Sequence, residues 1–346
     1  GLSTRLPSIR RGATGTSAIF ERGLRCYKQS SGHPNCHQPD AWVISHAGIP
    51  GHPDFPPKLA ILLAAIVGGL ILGGLLSLLI EFYDRTFRTA RDVEETTGLQ
   101  TLALVPTIRT SRSVADHVLR DPASPFAEAV RKLHTRLALS HSGEPPRTIM
   151  LTSSIPDEGK SLISVSMARL LAYTGRRVIL VDGDFRRPTL HTLLGQSAQP
   201  GLVDLLEGEA TPDKAVYRDP ASGLHAIFAG RVAAHGNCMP DFERMRALLN
   251  SLCRHYELVI LDTPPVLAGS EALQYGRLVD STVFVTRWRH TSRDIAADAI
   301  QQLHGAGANV DGVALAQVDP KQYKRYASVD LHYGYPRNGA VVARLA

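Results

Sequence analysis

The residues best suited to chemistry lie in LTSSIPDEGKSL, residues 151–162. Gly159, Lys160 and Ser161 match the end of the phosphate-binding pattern G-x-x-x-x-G-K-[ST], with Ser154 in place of the first glycine. A loop running from Ser154 through Ile155, Pro156, Asp157, Glu158 and Gly159 to Leu162 would surround phosphate oxygens with backbone N–H groups at a helix N-terminus. Lys160 would reach the β- and γ-phosphates, and Ser161 would ligate Mg²⁺. Asp157 and Glu158 sit where phosphates pass, so their side chains must turn away.

Two further stretches carry acids. RVILVDGDFRRP ends a hydrophobic run in Asp182, with Asp184 and Arg186 at alternating positions, and YELVILDTPP ends another in Asp262. Carboxylates at the tips of neighbouring strands are suited to hold Mg²⁺ through water. Together with Ser161 they make a candidate metal set of Ser161, Asp182, Asp184 and Asp262.

Such groups need a scaffold that gathers strand ends. TIML (148–151), VILVD (178–182), LHAIF (224–228), LVILD (258–262), TVFVT (282–286) and GVALAQV (312–318) are short apolar runs, separated by helical stretches such as SLISVSMARLLAYTG. This alternation predicts an α/β fold: a mostly parallel, P-loop NTPase-like sheet with helices on both faces, binding ligands beyond the strands' carboxyl ends.

Ahead of that scaffold, residues 59–80 hold no charge and one hydroxyl. As a helix the run measures roughly 33 Å, about one bilayer core, which predicts a transmembrane span. Arg85, Arg88 and Arg91 follow it and Lys58 alone closely precedes it, so the C-terminal part is expected in the cytoplasm. Phe82 and Tyr83 suit an interfacial belt, and Gly69 with Gly73 forms a G-x-x-x-G pair open to helix packing or to none. The expected divisions are an extracytoplasmic remnant (1–58) with a Pro-rich lead-in, the span (59–80), a juxtamembrane linker (81–123), the nucleotide domain (124–318) and a tail (319–346). Within the linker, TARDVEETTG looks helical and TLALVP looks like a short strand.

The 346 residues carry a formal charge of +6, with much of the basic excess at the two ends. That distribution suits headgroups or solvated tails, and no nucleic-acid-binding pattern is visible. Four cysteines are too few for a disulfide framework. Cys26 and Cys36 could bridge if extracytoplasmic, but the residues read better as two unpaired thiols. The chain opens on Gly1 without a signal peptide and reads as part of something longer.

With these motifs in place, the sequence resembles the bacterial tyrosine kinases fused to polysaccharide co-polymerases, the chain-length determinants of exopolysaccharide and capsule export. SSIPDEGKS resembles the family's Walker A motif, VDGDFR its Walker A′ and ILDTPP its Walker B; the resemblance runs from YKQSS through PGHPDFPPK and the span to the tail. Ile155 stands where related positioning ATPases carry a second lysine. The resemblance implies that ATP and Mg²⁺ are bound, that Asp182 deprotonates an incoming tyrosine, that Asp184 and Asp262 organise magnesium and that Arg186 completes the A′ motif. It implies a membrane-bound ring of identical subunits working with polysaccharide polymerisation and export machinery on protein tyrosines.

Four of the ten tyrosines, Tyr323, Tyr326, Tyr333 and Tyr335, fall in the last 24 residues. By resemblance they are the phosphoacceptors, and an extended chain from Val318 to Tyr335 would span roughly 55 Å, enough to reach a neighbour. SPFAEAVRKLHTR resembles the family's oligomerisation helix, with Glu128 and Arg131 matching its E-x-x-R-x-x-R pattern and His134 replacing the last arginine. The bland alternative is a surface pair three apart on a helix; the expectation is an interface, weakened by His134. The family's first membrane helix and periplasmic domain are missing from this sequence. Two functions are open: a tyrosine autokinase, or a co-polymerase whose ATP binding only sets its oligomeric state.

Overall fold

A computed structural model describes residues 18–29, 57–108, 114–141, 143–198, 200–230 and 241–326, giving only the backbone at 80–82 and 324–326. Two compact units divide the chain, residues Gly1–Ser77 and Leu78–Ala346. In the first, helix α1 covers 18–29 and α2 begins at Lys58, running on to Tyr83. Lys58–Leu79 is long and apolar enough to cross a membrane, and none of its side chains is buried.

The second unit is built on an eight-stranded sheet. Its elements in chain order are α3 (Ala90–Thr97), β1 (Thr101–Pro106), α4 (His117–Arg120), α5 (Pro125–Ser140), β2 (Thr148–Ser153), α6 (Lys160–Tyr173) and β3 (Val178–Asp182). Three short helices follow, α7 (Leu190–Leu193), α8 (Leu202–Leu206) and α9 (Pro212–Ala215), then β4 (Val216–Arg218) and β5 (His225–Ile227). The remainder is α10 (Phe242–His255), β6 (Leu258–Asp262), α11 (Glu271–Tyr275), β7 (Ser281–Arg287), α12 (Arg293–Gly305), β8 (Val310–Val318) and α13 (Pro320–Tyr326).

Strand order is β1-β8-β7-β2-β6-β3-β5-β4. Every pairing is parallel except β4 with β5. Continuous burial of β2, β3 and β6 fits a sheet covered on both faces. Alternate residues face opposite cores: Met150, Ile179 and Val259 pack with α3, α10 and α12, whereas Leu151, Leu180 and Ile260 pack with α5 and α6.

Local chemistry sets the helix ends that matter. A capping box between Thr89 and Asp92 starts α3, and Gly98 in the left-handed region closes it. Ser124 caps α5 through a 3.2 Å bond from the Ala127 amide, and Pro125 occupies the first helical position. The span 81–123, set apart above as a linker, contributes α3 and β1 to the α/β unit, with β1 lying beside β8. Gly312 makes that pairing feasible, because a Cβ there would lie 2.6 Å from Leu102 Cγ and 2.7 Å from the Gln100 carbonyl.

Candidate active site

The phosphate-type loop joins β2 to α6, and Gly159 forms the α6 N-cap at φ 93°, a conformation glycine adopts freely. Ser154, in the first-glycine position, is fully buried and keeps an ordinary negative φ. Its carbonyl accepts from the Leu267 amide at 3.3 Å. Asp157 takes a positive φ of 65° and leaves its side chain exposed. Its carbonyl accepts from Gln317 Nε2 at 3.1 Å. Glu158 folds back into the protein and is 1% exposed. Glu158 therefore turns away from the phosphate path, whereas Asp157 stays exposed at the edge of the cavity over the loop.

Parallel pairing places Asp182 directly beside Asp262 at the ends of β3 and β6. Gly183 keeps the chain close after that pair, its amide donating to the Asp262 carbonyl at 2.7 Å. Lys160, on the first turn of α6, points its ammonium to Asp184 Oδ2 at 2.9 Å and to Asp262 Oδ2 at 3.6 Å. Ser161 Oγ lies 3.3 Å from the same nitrogen, and Ser164 Oγ donates to Asp262 Oδ1 at 3.0 Å. Thus Lys160, Ser161, Asp182, Asp184 and Asp262 converge.

The electrostatics follow from burial. Asp182 is fully buried, and desolvation together with the neighbouring Asp262 charge raises its pKa well above the usual carboxylate range. Burial also raises Asp262, with the Lys160 ammonium opposing. For Lys160, burial alone would lower the pKa, but Asp262 and Asp184 outweigh it and hold the pKa above the ordinary value. Asp182 Oδ2 and Asp262 Oδ2 are buried with no hydrogen-bond partner. Among the described residues no three His, Cys, Asp or Glu side chains group as direct metal ligands.

Above the cluster opens a cavity of about 680 Å³, lined by Lys160, Ser161 and Asp184 and by Arg186, Arg187 and Arg287. Arg186 stands at this mouth, half exposed, with Nε 2.9 Å from Glu271 Oε1. Gly269 leaves room for the pair, since a Cβ there would meet Glu271 Oε2 at 2.1 Å and Arg186 Nε at 2.8 Å. Sequence reasoning missed Glu271, Ser164 and the inward turn of Glu158. Ser164 was open to detection, three residues after Ser161 on the helix opened by the loop.

The remaining candidates lie elsewhere. Tyr323 is 3% exposed, packs in the core beside α3 and accepts from the Ala90 amide at 3.4 Å. As placed, it offers no accessible hydroxyl. The polar sequence around it gave no hint of that burial, which comes from α13 docking this aromatic on the sheet's covering layer. Tyr326 ends α13, and Tyr333 and Tyr335 lie outside the described residues. Glu128 and Arg131 pair with each other on the outer face of α5, and Arg131 also donates to the Pro122 carbonyl. His134, in place of the pattern's last arginine, has its pKa lowered by burial and by Arg176, whose Nη1 lies 3.2 Å from Nε2. Cys26 and Cys253 are free thiols, and Cys36 and Cys238 lie outside the described residues.

Comparison with known proteins agrees with this geometry. Residues 149–323 match the CobQ/CobB/MinD/ParA nucleotide binding domain. The chain is 28% identical over 357 residues to the succinoglycan biosynthesis transport protein ExoP of Rhizobium meliloti, covering 94% of this chain and 45% of that protein. It is 33% identical over 208 residues to the tyrosine-protein kinase etk of Escherichia coli K12, covering 60% of this chain and 28% of that protein. The chain thus spans less than half the length of these curated relatives. The solved kinase domain of Escherichia coli tyrosine kinase ETK superposes with a TM-score of 0.61 at 30% identity, covering 70% of this chain and 97% of that one. The BceF tyrosine kinase domain does so at 0.57 and 29%, covering 67% and 99%. With Walker-type motifs, parallel sheet and clustered acids all in agreement, the chain belongs to the bacterial tyrosine kinase family of exopolysaccharide transport and carries that family's nucleotide-binding domain.

Proposed function

We propose that this protein is a membrane-anchored, Mg·ATP-dependent protein-tyrosine autokinase that regulates exopolysaccharide chain length and export. The observation that carries the reading is the buried cluster of Lys160, Asp182, Asp184 and Asp262 under the α6 N-terminus. Phosphoryl transfer needs positioning and charge neutralisation more than covalent chemistry. The loop amides and the α6 N-terminus supply the first, and Lys160 supplies a fixed cation.

The donor set is all oxygen, as magnesium prefers, and the buried Oδ2 atoms of Asp182 and Asp262, which accept no hydrogen bond, fit such a cation. Ser161, Asp182, Asp184 and Asp262 would hold it, the acids largely through water. Bound there, magnesium would neutralise charge on the phosphates. Asp182 is the proton acceptor for the tyrosine hydroxyl: it ends β3 beside Asp262 at the floor of the site, where a carboxylate next to the cation can take the phenol proton as the new bond forms. Arg186, held by Glu271, faces the cavity where negative charge is transferred.

Acceptors are tail tyrosines of a neighbouring copy in a ring, among them Tyr326, Tyr333 and Tyr335; Tyr323 would have to leave the core first. Glu128 and Arg131 are assigned to the contact between copies. The α2 span anchors the chain in the bacterial inner membrane with the nucleotide domain on the cytoplasmic side. Phosphorylation would load the tail with negative charge and loosen the ring. The burial of Tyr323 favours a second reading, a non-catalytic co-polymerase whose ATP binding only sets oligomeric state.

Mass spectrometry of tail peptides after incubation with Mg·ATP separates the two. The autokinase gives phosphotyrosine in the wild type and none in Lys160→Met. Absence of phosphotyrosine from the wild type, with nucleotide bound, refutes the kinase reading.

A further inference from the structure

Glu158 occupies an inhospitable place for an acid, immediately before the loop glycine and beside the path of the phosphates. Its carboxylate nevertheless lies beneath the loop, accepting from the Ile155 amide at 2.8 Å and from Ser154 Oγ at 3.1 Å. From the other side it accepts from the Arg287 amide at 3.2 Å and from the Thr291 hydroxyl. Two donors belong to the loop, one to the last residue of β7 and one to the turn that leads on to α12, 129 and 133 residues further along the chain.

That turn is itself braced. The Trp288 amide donates to the Ala316 carbonyl at 3.0 Å, and the Arg289 amide to the Phe87 carbonyl at 2.9 Å. Thr291 is fully buried, and its hydroxyl has no solvent with which to replace the carboxylate. The anchor that ties the underside of the loop to the sheet is therefore a buried acid, tolerated there because donors surround it.

We propose that Glu158 and Thr291 are a positioning pair for the bound nucleotide. Held by the turn, the carboxylate fixes the Ser154–Ile155 part of the loop, so the amides that meet phosphate are arranged before it arrives. A loop lacking this anchor must be ordered at each binding event, and affinity falls accordingly. The inference rests on the loop holding a nucleotide, not on phosphoryl transfer. Its sign is diagnostic: an acid near phosphates that acted only through its charge would, once neutralised, strengthen binding.

The test is calorimetric titration of Mg·ADP into the full chain in detergent micelles, with a melting temperature for every variant. Glu158→Gln and Thr291→Val should each weaken binding about tenfold, the scale of a lost hydrogen bond to a charged group. Thr291→Ser, which restores the hydroxyl, should recover most of that loss. Binding by Glu158→Gln or Thr291→Val as tight as the wild type's, or tighter, overturns the proposal, even if the variants melt earlier. Should Glu158→Gln fail to fold, the contrast between Thr291→Val and Thr291→Ser decides alone. A wild type that binds no Mg·ADP overturns the nucleotide reading and this inference together, whereas equal affinities in folded variants overturn only the inference.

Discussion

Replacing Asp182 by Asn should make the nucleotide-free protein more stable while disabling its site. Asp182 is fully buried, one carboxylate oxygen has no partner, and Asp262 lies opposite in register. Burial and that neighbour raise its pKa in the folded state. Between the unfolded value near 3.8 and the higher folded one, the native protein binds more protons than the unfolded chain. Stability therefore falls as pH rises through this window, and above it the full penalty of the buried charge is present. Asparagine keeps the shape and the acceptor for the Asp184 amide, now 3.2 Å away, but is neutral at every pH. Removing an unsatisfied buried charge is worth about 1–3 kcal/mol. For a domain of this size that is a rise of roughly 3–9 °C in melting temperature. The assay is thermal unfolding of the full chain in detergent with a chelator and no nucleotide, from about pH 5 to about 8. The Asp182→Asn variant should melt higher at the alkaline end and show a weaker pH dependence than the wild type. A variant that melts lower there, or one with the wild type's pH slope, would show that Asp182 is not a destabilising buried acid.

Two further outcomes follow from the packing. Because the turn at Arg289 and Arg293 donates to the Phe87 and Arg85 carbonyls, Mg·ADP should slow hydrogen exchange at those two amides in the wild type. Thr291→Val should abolish the slowing; unchanged exchange on nucleotide addition to the wild type would break the link. Gly312→Ala should destabilise by about 1–3 kcal/mol, since its Cβ must displace Leu102 and the Gln100 carbonyl. Urea unfolding measures this, and a loss under about 0.5 kcal/mol would mean that β1 yields easily.

The sequence was most legible where chemistry and structure are both local. A strand, a glycine-bearing loop and a helix succeed one another within residues 148–173, so the Lys160 environment could be read directly. Asp182 and Asp262 were recognisable because each ends an apolar run, and parallel register then brought them together without further information. Contacts between distant segments were not legible. That Glu158 must turn aside was readable, but not that it turns inward, because its donors Arg287 and Thr291 are supplied from far along the chain. Glu271, 85 residues from Arg186, was hidden for the same reason. β4 is only three residues long and antiparallel, too short for any periodicity to register. The burial of Tyr323 was not legible either, because one buried aromatic on a short helix leaves no pattern.

Pairing the first strand with the last has a consequence for biosynthesis. β1 emerges from the ribosome soon after α2, yet its partner β8 is made roughly 200 residues later, a delay of about 10–40 s at ordinary translation rates. Throughout that interval TLALVP is an unpaired, largely apolar edge tethered just after the α2 segment, the kind of template that invites mispairing with nascent neighbours. The sheet can close only once β8 has been made, so β1 must be shielded until that strand appears.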